Sequence, residues 1–204
     1  MPARKPIRSA RVTTRTGDRG DTSLFSADRV RKSDPRIEAL GDLDEAQAVI
    51  GVARSLAPRS ALGRELFDLQ HGLYLAMAEV ATPRSNRSRL KERLDGASVA
   101  TLEATLDTLK KRTPIAGRFV VPGENRFAAT LDHARTVVRR AERKVVECVD
   151  EGYLDGEDLL PWLNRLSDAL FVLARSAERT APTRKIAKRD TRRRSMSRST
   201  ATIR

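Results

Sequence analysis

Five segments of the chain repeat apolar residues every three or four positions, which is the period of an amphipathic helix. This spacing predicts helices over about 35–56, 61–81, 98–112, 126–151 and 157–179. Pro58 ends the first helix, and Gly152 and Gly156 separate the last two. Because most links are short, the helices should run antiparallel. The pattern therefore predicts an all-α fold, an antiparallel five-helix bundle.

Three polar stretches lie outside these helices. Residues 13–34 contain glycines and end at Asp34-Pro35, which predicts a loop that turns into the first helix. Residues 82–96 are charged, which predicts a mobile connector between the second and third helices. Residues 113–126 carry Pro and Gly on both sides of the apolar triplet 119–121, which predicts an irregular loop.

The net charge of +13 is concentrated at the two ends of the chain. Residues 181–204 carry seven Arg, two Lys and one Asp, hence +8, and residues 1–11 carry +4, which leaves +1 between them. These shifts divide the chain into a basic arm at 1–12, a domain at 13–180 and a basic tail at 181–204. Both ends are predicted to be disordered, because they have no apolar stripe to bury.

Cysteine and histidine content argues against two classes of site. A single cysteine, Cys148, excludes an internal disulfide framework, and two histidines, His71 and His133, give no basis for predicting a metal site.

No apolar run approaches the ~20 residues that span a bilayer, so no membrane contact is expected. The N-terminal residues show no secretory signal, which predicts a cytoplasmic protein.

A polar loop near the N-terminus has the composition of a phosphate-binding segment. Its glycines permit close backbone approach and its hydroxyl groups supply donors, although it is not a Walker A sequence. Taken alone, such a loop is a weak signal. The loop residues are Thr14, Arg15, Thr16, Gly17, Asp18, Arg19, Gly20, Asp21, Thr22 and Ser23.

The fourth helix places a row of cations on one face. Arg135, Arg139 and Arg143 recur every four residues, and Glu142 lies beside them. The planar guanidinium group suits phosphate because it bonds two oxygens at once. Together with the polar loop, this row predicts a polyphosphate site. A solvated helix face with Glu142 as internal partner explains the spacing equally well.

Polar residues on the fifth helix admit two interpretations. Asp168 is better explained by a salt bridge to an arginine of the fourth helix than by catalysis. Asn164 carries an amide that can hydrogen-bond a base or ribose beside the arginine row.

Several motifs resemble those of the PduO-type ATP:cob(I)alamin adenosyltransferases. The N-terminal ones are TRTGDRGDT at 14–22, RVRK at 29–32 and DPRIEALG at 34–41, followed by Asp44 and Glu45. The C-terminal ones are FVVPG at 119–123, ARTVVRRAER at 134–143 and LNRLSDALF at 163–171. The resemblance covers about residues 12–178 in the family order.

The resemblance implies a five-helix bundle that assembles as a homotrimer, with ATP and the corrinoid at subunit interfaces. Such enzymes transfer the 5′-deoxyadenosyl group of ATP to cob(I)alamin and release triphosphate. An arginine cluster and Mg²⁺ would stabilise that leaving group. A reductase that supplies the reduced corrinoid and an acceptor enzyme for adenosylcobalamin are then expected partners.

The resemblance also assigns roles to residues. The loop 14–23 would hold the phosphates. Asp44 would pair with Arg135 of a neighbouring subunit and organise the corrinoid pocket, and Phe119 would pack under the corrin ring and displace the lower ligand of cobalt. With Arg139 these three form the predicted catalytic set. The remaining nucleotide-site residues would be Lys32, Arg139, Arg140, Ala141, Glu142, Arg143 and Asn164.

Two other functions remain open from the sequence. Glu124, Asn125 and Asp132 depart from the family pattern, which is compatible with a homologue that binds ATP or corrinoid as a carrier or regulator. The basic tail can bind nucleic acid nonspecifically, but no aromatic or fold signature accompanies it.

Overall fold

A computed structural model describes residues 13–25, 28–57, 60–115, 117 and 119–178. The described chain is mostly helical, with one two-stranded sheet at its start. The predicted basic arm (1–12) and the whole predicted basic tail (181–204) lie outside the described residues, as do residues 179 and 180. The elements are β1 Asp21–Ser23, β2 Arg29–Arg31, α1 Pro35–Ser55, α2 Ala61–Val80, a 3₁₀ helix Arg84–Arg89, α3 Gly96–Arg112, α4 Arg126–Asp150 and α5 Leu159–Glu178.

The predicted helices are all present, and polar caps fix where they begin. The side chains of Asp34, Ser60, Asp95 and Asn125 each accept a backbone N–H in the first turn of the helix that follows. Arg36 binds the Asp34 carboxylate through two nitrogens, at 2.9 and 2.8 Å, and this contact lowers the pKa of Asp34. Local polar chemistry therefore fixes the α1 start that Asp34-Pro35 indicates.

Pairs of side chains define how the helices run. Gln70 on α2 donates to the Gln47 carbonyl on α1, and Lys144 on α4 lies 4.0 Å from Glu38 on α1. The α1–α2 pair is antiparallel, because Arg54 near the end of α1 lies over the ring of Phe67, which precedes Gln70 on α2. The α1–α4 pair is antiparallel because Lys144 lies near the end of α4 and Glu38 near the start of α1. Among the described elements α4 packs against both α1 and α5, and α3 packs against α5.

The α3–α5 pair joins two helices that are not consecutive in the chain. A Cβ placed on Gly96, at the start of α3, would lie 3.8 Å from Asp158 just before α5, and Glu103 bonds Arg165 further along both helices. The two helices therefore run parallel. Helices that follow one another in the chain reverse direction, as predicted from the short links. Because α3 and α5 are separated by α4, they have the same direction.

The connector between α2 and α3 is anchored, whereas the sequence predicts a mobile one. Arg87, on the 3₁₀ helix, binds Asp155 at 2.6 Å and Glu79 at 3.3 Å. Glu79 also accepts the Leu94 N–H at 2.7 Å. Burial nevertheless raises the pKa of Glu79. Long-range charge pairs that sequence spacing does not reveal thus hold this segment to the end of α2.

The core is aliphatic, as the low aromatic content suggests. Leu43, Ile50, Leu131 and Leu163 are fully buried at its centre. Cys148 is buried with them, and burial raises the pKa of its thiol to about 11, which makes it a packing residue. Among the described residues no helix combines the length and apolar character needed to cross a bilayer.

Candidate functional site

The predicted phosphate loop is a folded turn closed by the β1–β2 hairpin. Arg15 adopts a positive φ of 61°, and the Gly20 N–H donates to the Gly17 carbonyl at 3.2 Å. Arg29 on β2 donates to the Thr16 carbonyl at 2.8 Å. The hairpin therefore fixes the backbone of the loop. The sequence does not predict it, because its strands have only three residues each.

Lys32, which the family resemblance assigns to the phosphate site, lies against the loop just after β2. Its backbone N–H donates to the Gly20 carbonyl at 2.9 Å, and its Nζ would lie 3.3 Å from a Cβ placed on Gly17. Glycine at position 17 therefore leaves room for the ammonium group against the turn. A cation and several hydroxyl groups share this surface, which suits an anionic ligand.

Two arginines in the second half of α4 face solvent. Arg139 and Arg143 are both exposed, and Arg143 donates to the Arg139 carbonyl at 2.9 Å. No ion pair among the described residues involves either guanidinium. They form an exposed cationic surface on α4, as their spacing predicts.

Neighbouring residues of the same motif have other surroundings. Arg140 turns to α1, where its Nε lies 3.2 Å from Asp42 and its Nη2 binds Glu45. Ala141 is fully buried in the core. The side chain of Ala141 therefore offers no surface to a nucleotide, because position 141 falls on the apolar stripe of α4. Arg140 has a structural partner that the sequence analysis did not assign.

Glu142 and Asn164 meet between α4 and α5. The Asn164 amide donates to Glu142 at 3.2 Å and accepts from Arg165 at 2.8 Å, and Arg165 also binds Glu103 on α3 at 2.9 Å. The sequence predicts Glu142 and Asn164 as site residues but not Arg165 or Glu103. The contact between Arg165 and Glu103 depends on the packing of α3 against α5, which the sequence pattern did not indicate.

A buried charge cluster occupies the N-terminal half of α4. Asp132 binds Arg175 of α5, and both side chains are less than a tenth exposed. Arg135 lies 3.7 Å from Asp132, and Phe171 lies 6.0 Å from the Arg135 guanidinium carbon. Asp132, which departs from the family pattern, is therefore neutralised by an ion pair with Arg175 of the same chain. The salt bridge predicted between Asp168 and an arginine of α4 is not found, since Asp168 is exposed and has no ion pair in the described chain.

Three residues that the resemblance assigns to the site have groups that make no hydrogen bond or are exposed in this chain. The Arg135 Nε is buried and lacks a hydrogen-bond partner, although the side chain as a whole is 27% exposed. Asp44 is exposed and makes no ion pair with the described residues. Phe119 is 94% exposed. Asp42 and Glu45 face α4, so the intervening Asp44 points elsewhere and does not meet Arg135 of its own chain.

The structure brings some predicted residues together and keeps others apart. Glu142 and Asn164 are in contact, and Lys32 lies at the loop. Within the described ranges, the hydrogen bonds and ion pairs of residues 14–23 do not reach α4 or α5. No hydrogen bond or ion pair therefore joins the loop to the cationic surface on α4 within the described residues. No group of three His, Cys, Asp or Glu residues suited to a metal occurs in the part described.

The sequence matches the family described as cobalamin adenosyltransferase over residues 12–177. The chain belongs to the cobalamin adenosyltransferase family. It is 36% identical over 170 residues to the corrinoid adenosyltransferase of Citrobacter freundii, with 83% of this chain and 96% of that protein aligned. It is 40% identical over 175 residues to the corrinoid adenosyltransferase of Mycobacterium tuberculosis strain H37Rv, with 84% and 90% aligned.

Some relatives in this family are longer. The chain spans about half the length of the corrinoid adenosyltransferase PduO of Citrobacter freundii, to which it is 37% identical over 170 residues, or 83% of this chain. A solved variant of the PduO-type ATP:corrinoid adenosyltransferase from Lactobacillus reuteri, complexed with cobalamin and ATP, superposes with a TM-score of 0.76 at 31% identity. That superposition covers 84% of this chain and 97% of the other.

Proposed function

We propose that this chain transfers the 5′-deoxyadenosyl group of ATP to the cobalt of cob(I)alamin and releases triphosphate. The observation that carries the proposal is the exposed pair Arg139 and Arg143 beside the Glu142–Asn164 hydrogen bond. This arrangement offers cations for a polyphosphate next to polar groups for a nucleoside. Membership of the family and the likeness to a structure complexed with cobalamin and ATP support the same activity.

The nucleotide would lie between the polar loop and the α4 surface. Residues 14–23 and Lys32 would hold the phosphates, since the loop combines a cation with hydroxyl groups and a glycine-lined turn. Arg139 and Arg143 would bind the triphosphate oxygens, and Glu142 and Asn164 would meet the nucleoside. Arg140 would act indirectly, because its contacts with Asp42 and Glu45 fix α4 against α1.

The proposed reaction is a displacement at carbon. Cobalt in the Co(I) state supplies an electron pair to the ribose C5′, the Co–C bond forms, and the C5′–O bond breaks with its electrons on triphosphate. No catalytic base is required, and the main demand is stabilisation of the leaving triphosphate. Carboxylate and hydroxyl oxygens of the loop fit an Mg²⁺ shared with the phosphates, and this ion would neutralise part of their charge.

We further propose that residues 13–180 form the catalytic domain, a five-helix bundle that works as a cytoplasmic homotrimer. The absence of hydrogen bonds and ion pairs between the loop and α4 in the described chain supports a site completed by a second subunit. The Arg135 Nε, which is buried without a hydrogen bond, and the exposed Asp44 support pairing of these residues between subunits. A reductase would supply the corrinoid substrate, and an acceptor enzyme would take the product.

Phe119 is the residue we assign to the corrin side. A ring that is 94% exposed in one chain is available to cover a large apolar surface. Packed under the corrin, it would exclude the lower ligand and water from cobalt. That exclusion would make cob(II)alamin easier to reduce to the nucleophilic Co(I) state.

The test compares three proteins with MgATP and chemically reduced cobalamin. Wild type should show the spectral change to adenosylcobalamin. Arg139→Ala should lower the rate ~100-fold or more, as expected when a donor to the developing charge is removed. Arg84→Ala, which removes an exposed arginine paired with Asp155, should behave as wild type. Wild-type protein that binds cobalamin and ATP without forming product would instead identify a carrier.

A further inference from the structure

Four polar side chains form a continuous row from α3 across α5 to α4. Glu103 accepts from Arg165 Nε at 2.9 Å, Asn164 Oδ1 accepts from Arg165 Nη1 at 2.8 Å, and Asn164 Nδ2 donates to Glu142 at 3.2 Å. The row therefore connects a surface carboxylate of α3 with a carboxylate that lies between Arg139 and Arg143 in sequence. None of its contacts belongs to the apolar core.

The partners of Asn164 determine which way its amide points. A guanidinium group only donates hydrogen bonds, and a carboxylate only accepts them. The amide oxygen must therefore face Arg165, and the amide nitrogen must face Glu142. The reversed amide would set its nitrogen against the guanidinium and its oxygen against the carboxylate, so both contacts would be lost.

We propose that Arg165 is a positioning residue that holds Asn164 with its N–H groups on the nucleotide side. One of the two amide hydrogens is engaged by Glu142, and the other is available to a ligand. The group that meets Asn164 is then a hydrogen-bond acceptor, such as a ribose oxygen or a ring nitrogen of the base. This inference rests on the proposed function for the identity of the ligand as ATP.

The row is poorly suited to a mainly stabilising role. The side chains of Arg165 and Glu103 are 36% and 48% exposed, and ion pairs with that much solvent contribute little to the free energy of unfolding. The hydrogen bond to Asn164 is more shielded than the ion pair to Glu103. Removing Arg165 should therefore change nucleotide binding more than thermal stability.

The experiment measures ATP affinity by titration calorimetry in the presence of Mg²⁺, together with the melting temperature of each protein. Arg165→Ala should weaken ATP binding about two- to tenfold, the effect of losing one hydrogen bond that orders a binding group. Arg165→Lys should recover part of the loss, because its ammonium group also donates. The matched control is Arg84→Ala, an exposed arginine that contacts neither Asn164 nor Glu142.

Substitutions of Asn164 test the claimed pathway. The double variant Asn164→Ala, Arg165→Ala should bind ATP no more weakly than Asn164→Ala, because the arginine acts only through the amide. Asn164→Asp keeps an acceptor for Arg165 but loses the donor, so it should bind ATP at least as weakly as Asn164→Ala. Arg165→Gln replaces the alanine variant if that protein does not fold.

Three results would overturn the inference. The first is that Arg165→Ala binds ATP as tightly as Arg84→Ala does. The second is that the losses of ATP affinity in Asn164→Ala and Arg165→Ala multiply in the double variant. The third is that Asn164→Asp binds ATP as tightly as wild type. Wild-type protein that binds ATP but forms no adenosylcobalamin would refute the proposed function and leave the comparison of variants decisive for Arg165. Absence of ATP binding by wild type would overturn both.

Discussion

At the scale of single residues, the partner of each charged group decides what it can do. Arg139 and Arg143 are exposed on α4, whereas Arg140 between α1 and α4 already has two carboxylates. Three arginines within five positions therefore divide into two cations available to a ligand and one used in helix packing. Arg135 is intermediate, since its Nε is buried without a hydrogen-bond partner near Asp132.

Helical spacing could predict this division only in part. A period of 3.6 residues indicates which arginines share a face, and it places Ala141 on the apolar stripe. It does not identify Asp42 and Glu45 as the partners of Arg140, because that contact depends on the register between α1 and α4. The Asp132–Arg175 pair was missed for the same reason, since it joins residues 43 positions apart.

The pairing proposed between Asp44 and Arg135 of two subunits predicts non-additive effects. Asp44→Ala and Arg135→Ala should each lower the rate of adenosyl transfer by a similar factor, and the double variant should be little worse than either. Initial rates with reduced cobalamin provide the measurement. Asp42→Ala is the matched control, because Asp42 contacts Arg140 of its own chain. Losses that multiply in the double variant would refute a direct contact.

At the scale of elements, the apolar period was sufficient to predict all five long helices. The short β1–β2 hairpin and the 3₁₀ helix Arg84–Arg89 were not predicted, because three to six residues are too few for a period to emerge. The hairpin matters for function, since it closes the loop at 14–23. The packing of α3 against α5 was also not predicted, because short links do not show which non-consecutive helices are neighbours.

Two helical glycines provide a matched test of how α2 meets α5. A Cβ on Gly72 would lie 2.0 Å from Trp162, whereas a Cβ on Gly41 of α1 would have nothing within 4 Å. Gly72→Ala should therefore lower the free energy of unfolding by ~1–3 kcal/mol through overpacking. Gly41→Ala should raise it by roughly 0.5–1 kcal/mol, because alanine favours the helix.

Urea unfolding followed by the fluorescence of Trp162, the only tryptophan of the chain, measures both glycine variants. A Gly72→Ala protein as stable as wild type would show that α2 and α5 do not approach as described. Loss of stability in Gly41→Ala would contradict the open surroundings assigned to that position.

At the scale of the whole molecule, two features matter: where the charge lies and how the proposed site is assembled. The positive charge is carried mainly by the two ends, while residues 12–180 are nearly neutral. Within the described residues, no hydrogen bond or ion pair joins the loop to the α4 surface, and the proposed trimer would complete the site between subunits. Sequence motifs can suggest both parts of such a site, but they do not show how the two parts are arranged in space. A homotrimer would have three times the 22.7 kDa mass of the chain.

The basic tail is predicted to be dispensable for chemistry. Deleting residues 182–204 should leave adenosyl transfer within about twofold of the full chain, while removing most of the salt-dependent binding to DNA. Deleting residues 1–11, which carry +4 instead of +8, should reduce that binding less. The measurements are turnover and DNA affinity across a series of salt concentrations. A large loss of turnover on deleting the tail would assign it a part in the active site.

The central claim, attack at the ribose C5′, is tested most directly by identifying both products of one reaction. Purified protein is incubated with MgATP and chemically reduced cobalamin, adenosylcobalamin is followed by its absorbance, and the phosphate product is identified by phosphorus NMR. Displacement at carbon predicts one triphosphate for each adenosylcobalamin, and Arg139→Ala should lower both together. Formation of ADP or of pyrophosphate in place of triphosphate, or of triphosphate without adenosylcobalamin, would contradict this account.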